Sequence, residues 1–202
     1  MRRAVLAFGV GALLLAAPLS RAATVSGTMT SDTEPGGAVV YLENIQHLVY
    51  GADGTHAVMD QKNLAFVPHV LPVVRGTVVE FTNSDNILHN VFTPSAVAGK
   101  FDLGTYSQGG ARSITLDKPG EVLILCNIHM EMAAYILVLN DPYFAVVAPD
   151  GSYQIPAVPP GTYVLRVWRE RKQLLRYTQT LQVPATGTVT VELQTAELQV
   201  ER

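Results

Sequence analysis

Cysteine is scarce in this 202-residue chain, which contains only Cys126. A lone cysteine cannot form an internal disulfide bond, so no disulfide framework is expected. Charged residues make up 15% of the chain, the formal net charge is −3, and no basic patch is present. This composition argues against a nucleic-acid-binding protein. Beyond the N-terminal region, no long segment shows a helical repeat of apolar residues, which disfavours helical folds.

The N-terminal 22 residues have the features of an export signal. Two arginines at positions 2 and 3 precede an apolar segment over residues 4–19, and small residues occupy both positions of a cleavage site that ends at Ala22. An uncleaved anchor is the alternative, but the apolar segment is short and rich in Gly and Ala. Cleavage removes three arginines and no acidic residue, so the net charge changes from −3 to −6. We predict a periplasmic protein without a membrane anchor in its mature form.

The rest of the chain consists of short apolar runs between turn signals. In the run Thr77–Asn83, Val79 and Phe81 alternate with polar residues, as a half-buried strand requires. The sequence Asp117-Lys118-Pro119-Gly120 is typical of a turn. These patterns predict an all-β protein whose central part is a Greek-key sandwich.

One short loop gathers three potential metal ligands. Cys126, His129 and Met132 are spaced three residues apart between two apolar runs that we interpret as strands. A thiolate, an imidazole and a thioether in so short a loop can turn toward one point. One position then remains for a second histidine from elsewhere, and His89 is the candidate. A buried inert cysteine is the alternative interpretation of Cys126.

The softness of these donors indicates the metal. Thioether is not among the usual ligands of structural zinc, and calcium and magnesium prefer oxygen. Thiolate and thioether suit Cu(I), whereas imidazole suits Cu(II). Two imidazoles and a thiolate in a trigonal plane, with a weak axial thioether, form a blue-copper electron-transfer site. The sequence therefore predicts one copper ion.

The segment from about Met59 to Leu139 resembles the cupredoxins, the family of plastocyanin and amicyanin. The matching motifs are Asn83 with Asp85, the run His89-Asn90-Val91, and the Cys-x-x-His-x-x-Met loop, whose short spacing is that of amicyanin. The resemblance implies one type 1 copper ion with His89, Cys126, His129 and Met132 as ligands. It also implies that Asn90 connects the ligand loops and donates its main-chain N–H to the thiolate.

One residue departs from the family pattern. Amicyanin-like loops usually have proline after the second histidine, where this chain has Met130. Met130 could therefore compete as the axial ligand. We favour Met132 because its spacing matches and because Met130, next to His129, would have to double back.

The regions on both sides of the cupredoxin-like segment resemble a second family. Residues 24–50 and 141–194 resemble a carboxypeptidase regulatory-like domain, a small transthyretin-like β-sandwich, most specifically in Pro159-Pro160-Gly161-Thr162-Tyr163. We predict that the cupredoxin domain, residues 57–140, is inserted into this sandwich and splits it. Pairing of the strand Val39–Leu42 with strands after Tyr143 would support the insertion. Residues 195–202 are predicted to be a tail.

The remaining histidines are interpreted as structural or surface residues. His47 and His56 lie in the predicted linker, and His69 follows Pro68.

The expected function is single-electron transfer between periplasmic redox proteins by Cu(I)/Cu(II) cycling. By resemblance, His129, Met130 and Ala133 form the electron port, and the partners are of the dehydrogenase or cytochrome c type, bound transiently to a monomer. Amicyanin-like loops suggest methylamine-utilisation pathways. The alternative is a copper chaperone or storage protein. An enzyme is not expected, because nitrite or oxygen reduction requires further copper centres with several more histidines.

Overall fold

The computed structural model describes residues 22–30, 36–44, 55–170, 175–176, 179–194 and 199–200. Within these residues the chain forms strands and no helix, so the predicted all-β fold is confirmed. Residues 1–21 of the predicted export signal lie outside them. No segment of the described chain is a helix long and apolar enough to cross a membrane.

The strands, in chain order, are β1 (Ala23–Thr30), β2 (Val39–Asn44), β3 (His56–Lys62), β4 (Ala65–Val67), β5 (Val70–Val74), β6 (Thr77–Asn83), β7 (His89–Thr93), β8 (Phe101–Tyr106), β9 (Ala111–Leu116), β10 (Gly120–Leu125), β11 (Ala133–Leu139), β12 (Phe144–Val146), β13 (Ser152–Val158), β14 (Gly161–Trp168), β15 (Leu175–Arg176), β16 (Gln179–Val183), β17 (Thr188–Thr190), β18 (Leu193–Gln194) and β19 (Gln199–Val200).

Strands β3 to β11 form one sandwich, which we call the site sandwich. Its five-stranded sheet has the order β5-β11-β10-β7-β8, and its four-stranded sheet has the order β4-β3-β6-β9. Both sheets contribute to one apolar core, for example Phe81 from β6 and Ile124 from β10. Burial alternates along β6, as its sequence predicts, and Pro72 lies in the edge strand β5, where proline is tolerated.

The order of the strands places the site. β10 and β11 are antiparallel neighbours, so residues 126–132 connect them at one end of the sheet. β7 is the other neighbour of β10 and is also antiparallel, with Leu125 opposite Phe92. The beginning of β7, at His89, therefore lies at the same end of the sheet as the end of β10.

The remaining strands form a second layered unit, which we call the second sandwich. One sheet has the order β12-β2-β14-β16, and the other has β1 between β13 and β17, with β18 also beside β1. Its core is separate from that of the site sandwich and includes Val25, Leu42 and Leu165. β15 pairs with β19, so residues 199–200 of the predicted tail form a short strand.

Strand β2 pairs with two strands from beyond the site sandwich. Tyr41 lies opposite Phe144 of β12 on one side and opposite Arg166 of β14 on the other. This pairing is the one that the insertion hypothesis requires, although the predicted domain boundaries and the regulatory-like resemblance stay predictions. β1 and β2, which are consecutive in the chain, belong to opposite sheets.

The two sandwiches pack against each other, sheet on sheet. Val39, Tyr41 and Trp168 of the second sandwich form a cluster with Leu137 and Leu139 of β11. Alternate residues of β2 thus face two different cores, as the pleat of a strand dictates.

Two polar contacts reinforce this interface. The Trp168 indole N–H donates to Glu121 at 2.8 Å, and His69 Nε2 lies 2.6 Å from a Glu170 carboxylate oxygen. The interface therefore combines apolar packing with hydrogen bonds between the two units.

Candidate metal centre

The structure brings His89, Cys126 and His129 together at one end of the site sandwich. Their potential ligand atoms all lie within 4.8 Å of one another, and this is the only such group of His, Cys, Asp or Glu side chains found among the described residues. His89 stands at the start of β7, whereas the other two belong to the loop after β10. The sequence interpretation required this convergence of distant segments.

The distances suit a common ion. His89 Nδ1 lies 3.1 Å from His129 Nδ1, and His129 Nδ1 lies 3.9 Å from Cys126 Sγ. Donor atoms about 2.0–2.3 Å from one ion, at angles of roughly 100–120°, are about 3.1–4.0 Å apart. Two donor separations therefore fit a metal site made of two imidazoles and a thiolate, and the third, between His89 and Cys126, is at most 4.8 Å.

The burial of the donors is uneven. His89 is 0% exposed and Cys126 is 3% exposed, whereas His129 is only half-buried. Two of the three donors are thus shielded from solvent, and the third forms the contact between the site and the surface. The two imidazole rings meet edge-on, with centroids 4.8 Å apart.

The two methionines of the loop are placed very differently. Met132 is 1% exposed and packs in the same core cluster as Cys126, whereas Met130 is 92% exposed. Main-chain hydrogen bonds fix Met132 between the other two ligand candidates: Cys126 N–H donates to the Met132 carbonyl at 3.2 Å, and Met132 N–H donates to the His129 carbonyl at 3.0 Å. A thioether so exposed as that of Met130 points away from a buried site, which favours Met132 as the fourth ligand.

Asp85 holds the far side of the His89 ring. Its Oδ2 lies 2.9 Å from His89 Nε2, and its two oxygens also accept main-chain N–H groups from Asn63 at 2.7 Å and Leu64 at 3.0 Å. The pKa of Asp85 is lowered, first by the hydrogen bond from Leu64, then by those from Asn63 and His89, while partial burial opposes the shift. The ionised carboxylate can only accept, so Nε2 of His89 carries a hydrogen, and Nδ1 is the nitrogen that faces His129.

Asn90 joins the two ligand segments. Its side-chain amide donates to Asp102 at 2.7 Å, and its side-chain oxygen accepts a long hydrogen bond from the Asn127 main chain at 3.4 Å. Asn90 is 1% exposed, so these bonds replace the water that its amide loses on burial. The predicted donation from the Asn90 main-chain N–H to the Cys126 sulfur stays a prediction.

Asn83 orders the segment that precedes His89. Its side-chain amide donates to the carbonyls of Ile87 and Tyr106, and its side-chain oxygen accepts the Asp85 main-chain N–H at 2.9 Å. The residues between β6 and β7 are thereby folded back on themselves, which sets where His89 begins its strand.

The other described histidines lie apart from this cluster. His56 Nε2 lies 3.1 Å from Glu80, and His69 is bonded to Glu170 in the interface between the sandwiches. Both are about half exposed. His56 is the first residue of β3, although the sequence placed it in a linker. His47 lies outside the described residues.

Sequence reasoning did not assign the role of Asp85. It precedes His89 by four residues in a non-helical segment, where that spacing carries no geometric meaning, and its other two partners come from a turn about 21 residues earlier. Only the folded arrangement reveals it.

No protein-family model matches the chain, and no curated protein sequence matches it. Among solved structures, it is similar to a Cu-containing nitrite reductase (NirK) from Thermus scotoductus SA-01, at 27% identity and a TM-score of 0.40 over 42% of this chain. It is also similar to amicyanin: a reduced mutant at 23% identity and TM-score 0.39, and an oxidised mutant at 22% identity and TM-score 0.40. These overlaps cover 49% and 51% of this chain and 99% of each amicyanin. By contrast, the chain spans only about a fifth of the nitrite reductase, 22% of its length.

Proposed function

We propose that the protein is an exported type 1 copper protein of the cupredoxin kind, which carries single electrons between redox proteins. His89, Cys126, His129 and Met132 would hold one copper ion. The observation that carries the proposal is the meeting of two imidazoles and the only thiol of the chain within 4.8 Å of one another. That donor set suits both oxidation states of copper and neither calcium nor magnesium.

Copper supplies a one-electron couple at such a site, and the chain supplies a fixed geometry. Cys126 and His129 are held by the short connection between two paired strands, and His89 is held by its strand and by Asp85. Because His89 and Cys126 are almost fully buried, neither can swing out to solvent when the charge at the site changes. A site that rearranges little presents a small barrier to electron transfer.

The surface around His129 suits brief contacts with partners. Of the eight large hydrophobic side chains exposed in the described residues, four flank the two histidines in sequence: Ile87, Leu88, Ile128 and Met130. Apolar side chains around a half-buried ligand exclude water from an encounter without adding strong charge pairs. Small, short-lived interfaces of this type are typical of redox partners.

The localisation and partners in this proposal come from the sequence. The predicted N-terminal export signal supports a periplasmic carrier, and a dehydrogenase or c-type cytochrome is the proposed class of partner. We propose a monomeric carrier rather than an enzyme, because reduction of nitrite or oxygen requires a second copper centre. Within the described chain, His56 and His69 are each engaged with a carboxylate away from the cluster.

The test is to add Cu(II) to the purified mature protein. We expect an intense visible thiolate-to-copper absorption that ascorbate bleaches and a mild oxidant restores. A stoichiometry of one copper per chain is expected from metal analysis. Colourless, loosely held copper would contradict the carrier and would favour the chaperone or storage alternative.

A further inference from the structure

Asp85 uses both of its oxygens to connect a turn with a candidate ligand. The turn is Asn63-Leu64 between β3 and β4, whose two main-chain N–H groups donate to the carboxylate at 2.7 and 3.0 Å. The ligand is His89, whose Nε2 lies 2.9 Å from the same carboxylate. The Asp85 side chain is only 15% exposed, so water has limited access to these bonds.

The turn has a backbone conformation that suits Asn63 but not Leu64. Asn63 and Leu64 have φ values of 56° and 58°, the left-handed region in which the second position of a two-residue hairpin turn usually holds glycine. Leucine at that position is disfavoured by contact between its Cβ and the backbone. Two N–H groups that point at one carboxylate offset this cost, so the turn depends on Asp85.

The histidine depends on Asp85 as well. His89 is 0% exposed, and its Nδ1 faces His129, so the Nε2–H group has the carboxylate as its hydrogen-bond partner. Without that acceptor a buried N–H group would lose its partner, and the ring would gain by rotating or by moving its hydrogen to Nδ1. A hydrogen on Nδ1 would occupy the position that a metal needs.

We propose that Asp85 is a positioning residue: it fixes the Nε2–H form and the angle of the His89 ring, and it lowers the reduction potential of the site. The inference rests on the proposed function. A negative charge on the far nitrogen makes the imidazole a stronger donor, and stronger donation favours Cu(II) over Cu(I). Asp85 has this effect without contacting the metal.

The first experiment needs no metal. In the metal-free protein at about pH 8, above the ordinary pKa of histidine, proton–nitrogen NMR should show His89 as the Nε2–H form with a strongly downfield ring proton. Asp85→Asn should move that resonance upfield and mix the two ring forms. An unchanged resonance and coupling pattern in Asp85→Asn would overturn the positioning role.

The second experiment uses the copper-loaded protein. Asp85→Asn should raise the reduction potential while the visible absorption is kept, and Asp85→Glu, which retains the charge, should restore part of the difference. Glu80→Gln is the matched control, since Glu80 forms the same kind of pair with His56 at 3.1 Å but lies outside the cluster. It should leave both the potential and the His89 resonance unchanged.

Two further comparisons separate the possible failures. If Asp85→Asn folds poorly, it is combined with Leu64→Gly, because glycine removes the unfavourable residue from the turn. This double variant is then compared with Leu64→Gly alone. If the unsubstituted protein shows no thiolate-to-copper absorption, the proposed function fails while the NMR result still decides the ring form. If the absorption is present and Asp85→Asn leaves the potential unchanged, the inference about the potential fails and the proposed function stands.

Discussion

The two sandwiches differ in what they bury. Of the seven buried polar or charged side chains in the described residues, six belong to the site sandwich: Gln61, Thr77, Asn83, His89, Asn90 and Thr93. The seventh, Asp141, follows β11 directly, and the core of the second sandwich consists of hydrophobic residues and tyrosines. Burying a polar group is unfavourable unless it is hydrogen-bonded, so buried polar side chains are expected mainly where they position a loop or a functional group.

Buried polar side chains are therefore concentrated in the site sandwich. In the site sandwich, Asn83, His89 and Asn90 form hydrogen bonds at the end of the sheet where the candidate ligands lie. These bonds fix the surrounding loops, which apolar contacts alone would hold less firmly. The second sandwich offers packing and an interface. Substitutions in the two regions should therefore separate metal binding from stability.

The largest expected effect is the complete loss of the visible absorption in Cys126→Ser. The hydroxyl group cannot replace the thiolate, which is the source of the colour, whereas the apolar core around it remains. Absorption spectra after addition of Cu(II) and circular dichroism of the same samples measure the two properties. A coloured Cys126→Ser protein would disprove the ligand assignment.

Trp168→Ala should have the opposite profile. Trp168 is 1% exposed, packs between the two sandwiches and donates to Glu121, so its removal should lower the free energy of unfolding by about 3–5 kcal/mol. The absorption of the copper-loaded protein should be unchanged at temperatures where the variant is folded. Denaturant titration measures the first effect. Trp168→Phe is the milder control, and a bleached but folded Trp168→Ala protein would show that the two regions are not independent.

Within the site loop, Met132→Leu should raise the reduction potential and keep the colour, since a weak axial donor is replaced by a hydrocarbon. Met130→Leu should leave the potential unchanged because Met130 is 92% exposed. Voltammetry of the two variants measures the difference. The reverse result would assign the axial position to Met130.

Alkaline pH should weaken both regions through one tyrosine each. Burial raises the pKa of Tyr41 to about 12, with Glu43 adding to the shift, and burial likewise raises the pKa of Tyr106 to about 12. The folded state thus favours the neutral phenols. Their contribution is fully present below about pH 10, the ordinary pKa of tyrosine, and is lost as the pH rises toward 12.

Tyr41→Phe and Tyr106→Phe distinguish these contributions. Each should reduce the loss of stability between about pH 10 and pH 12 in denaturant titrations. Tyr106→Phe should also cost stability at pH 7, by about 1–3 kcal/mol, because its hydroxyl is bonded to Gln61 and to the Phe81 carbonyl. A pH-independent free energy of unfolding in the unsubstituted protein would contradict the buried-phenol explanation.

Much of the site could be predicted because its signal is local. Three of the four ligand candidates occur within seven residues, and strand patterns on both sides place the loop at the end of a sheet. The alternation of Val79 and Phe81 likewise predicted the face of β6 that is buried. His89 was identified from its resemblance to a family motif, and the strand order explains why it meets the loop.

The remaining features depend on contacts between residues far apart in sequence. Asp85 meets the Asn63-Leu64 turn, His69 meets Glu170, and Trp168 meets Glu121, and no periodicity encodes such pairs. The sequence favoured Met132 over Met130 from the loop spacing, but spacing does not reveal which of the two side chains is buried. Exposure, a property of the folded chain, distinguishes them.

The pairing of Tyr41 with Phe144 has a consequence for how such a chain can change. The chain leaves the sheet at the end of β2 and returns to it in the neighbouring strand β12. The whole segment between them is therefore joined to the sheet at two paired strands. A change in the length or identity of this segment leaves the other strand pairs of the sheet β12-β2-β14-β16 intact. The site sandwich is thus connected to the second sandwich through two neighbouring strands, and the interface around Trp168 is the other contact that such a change must preserve.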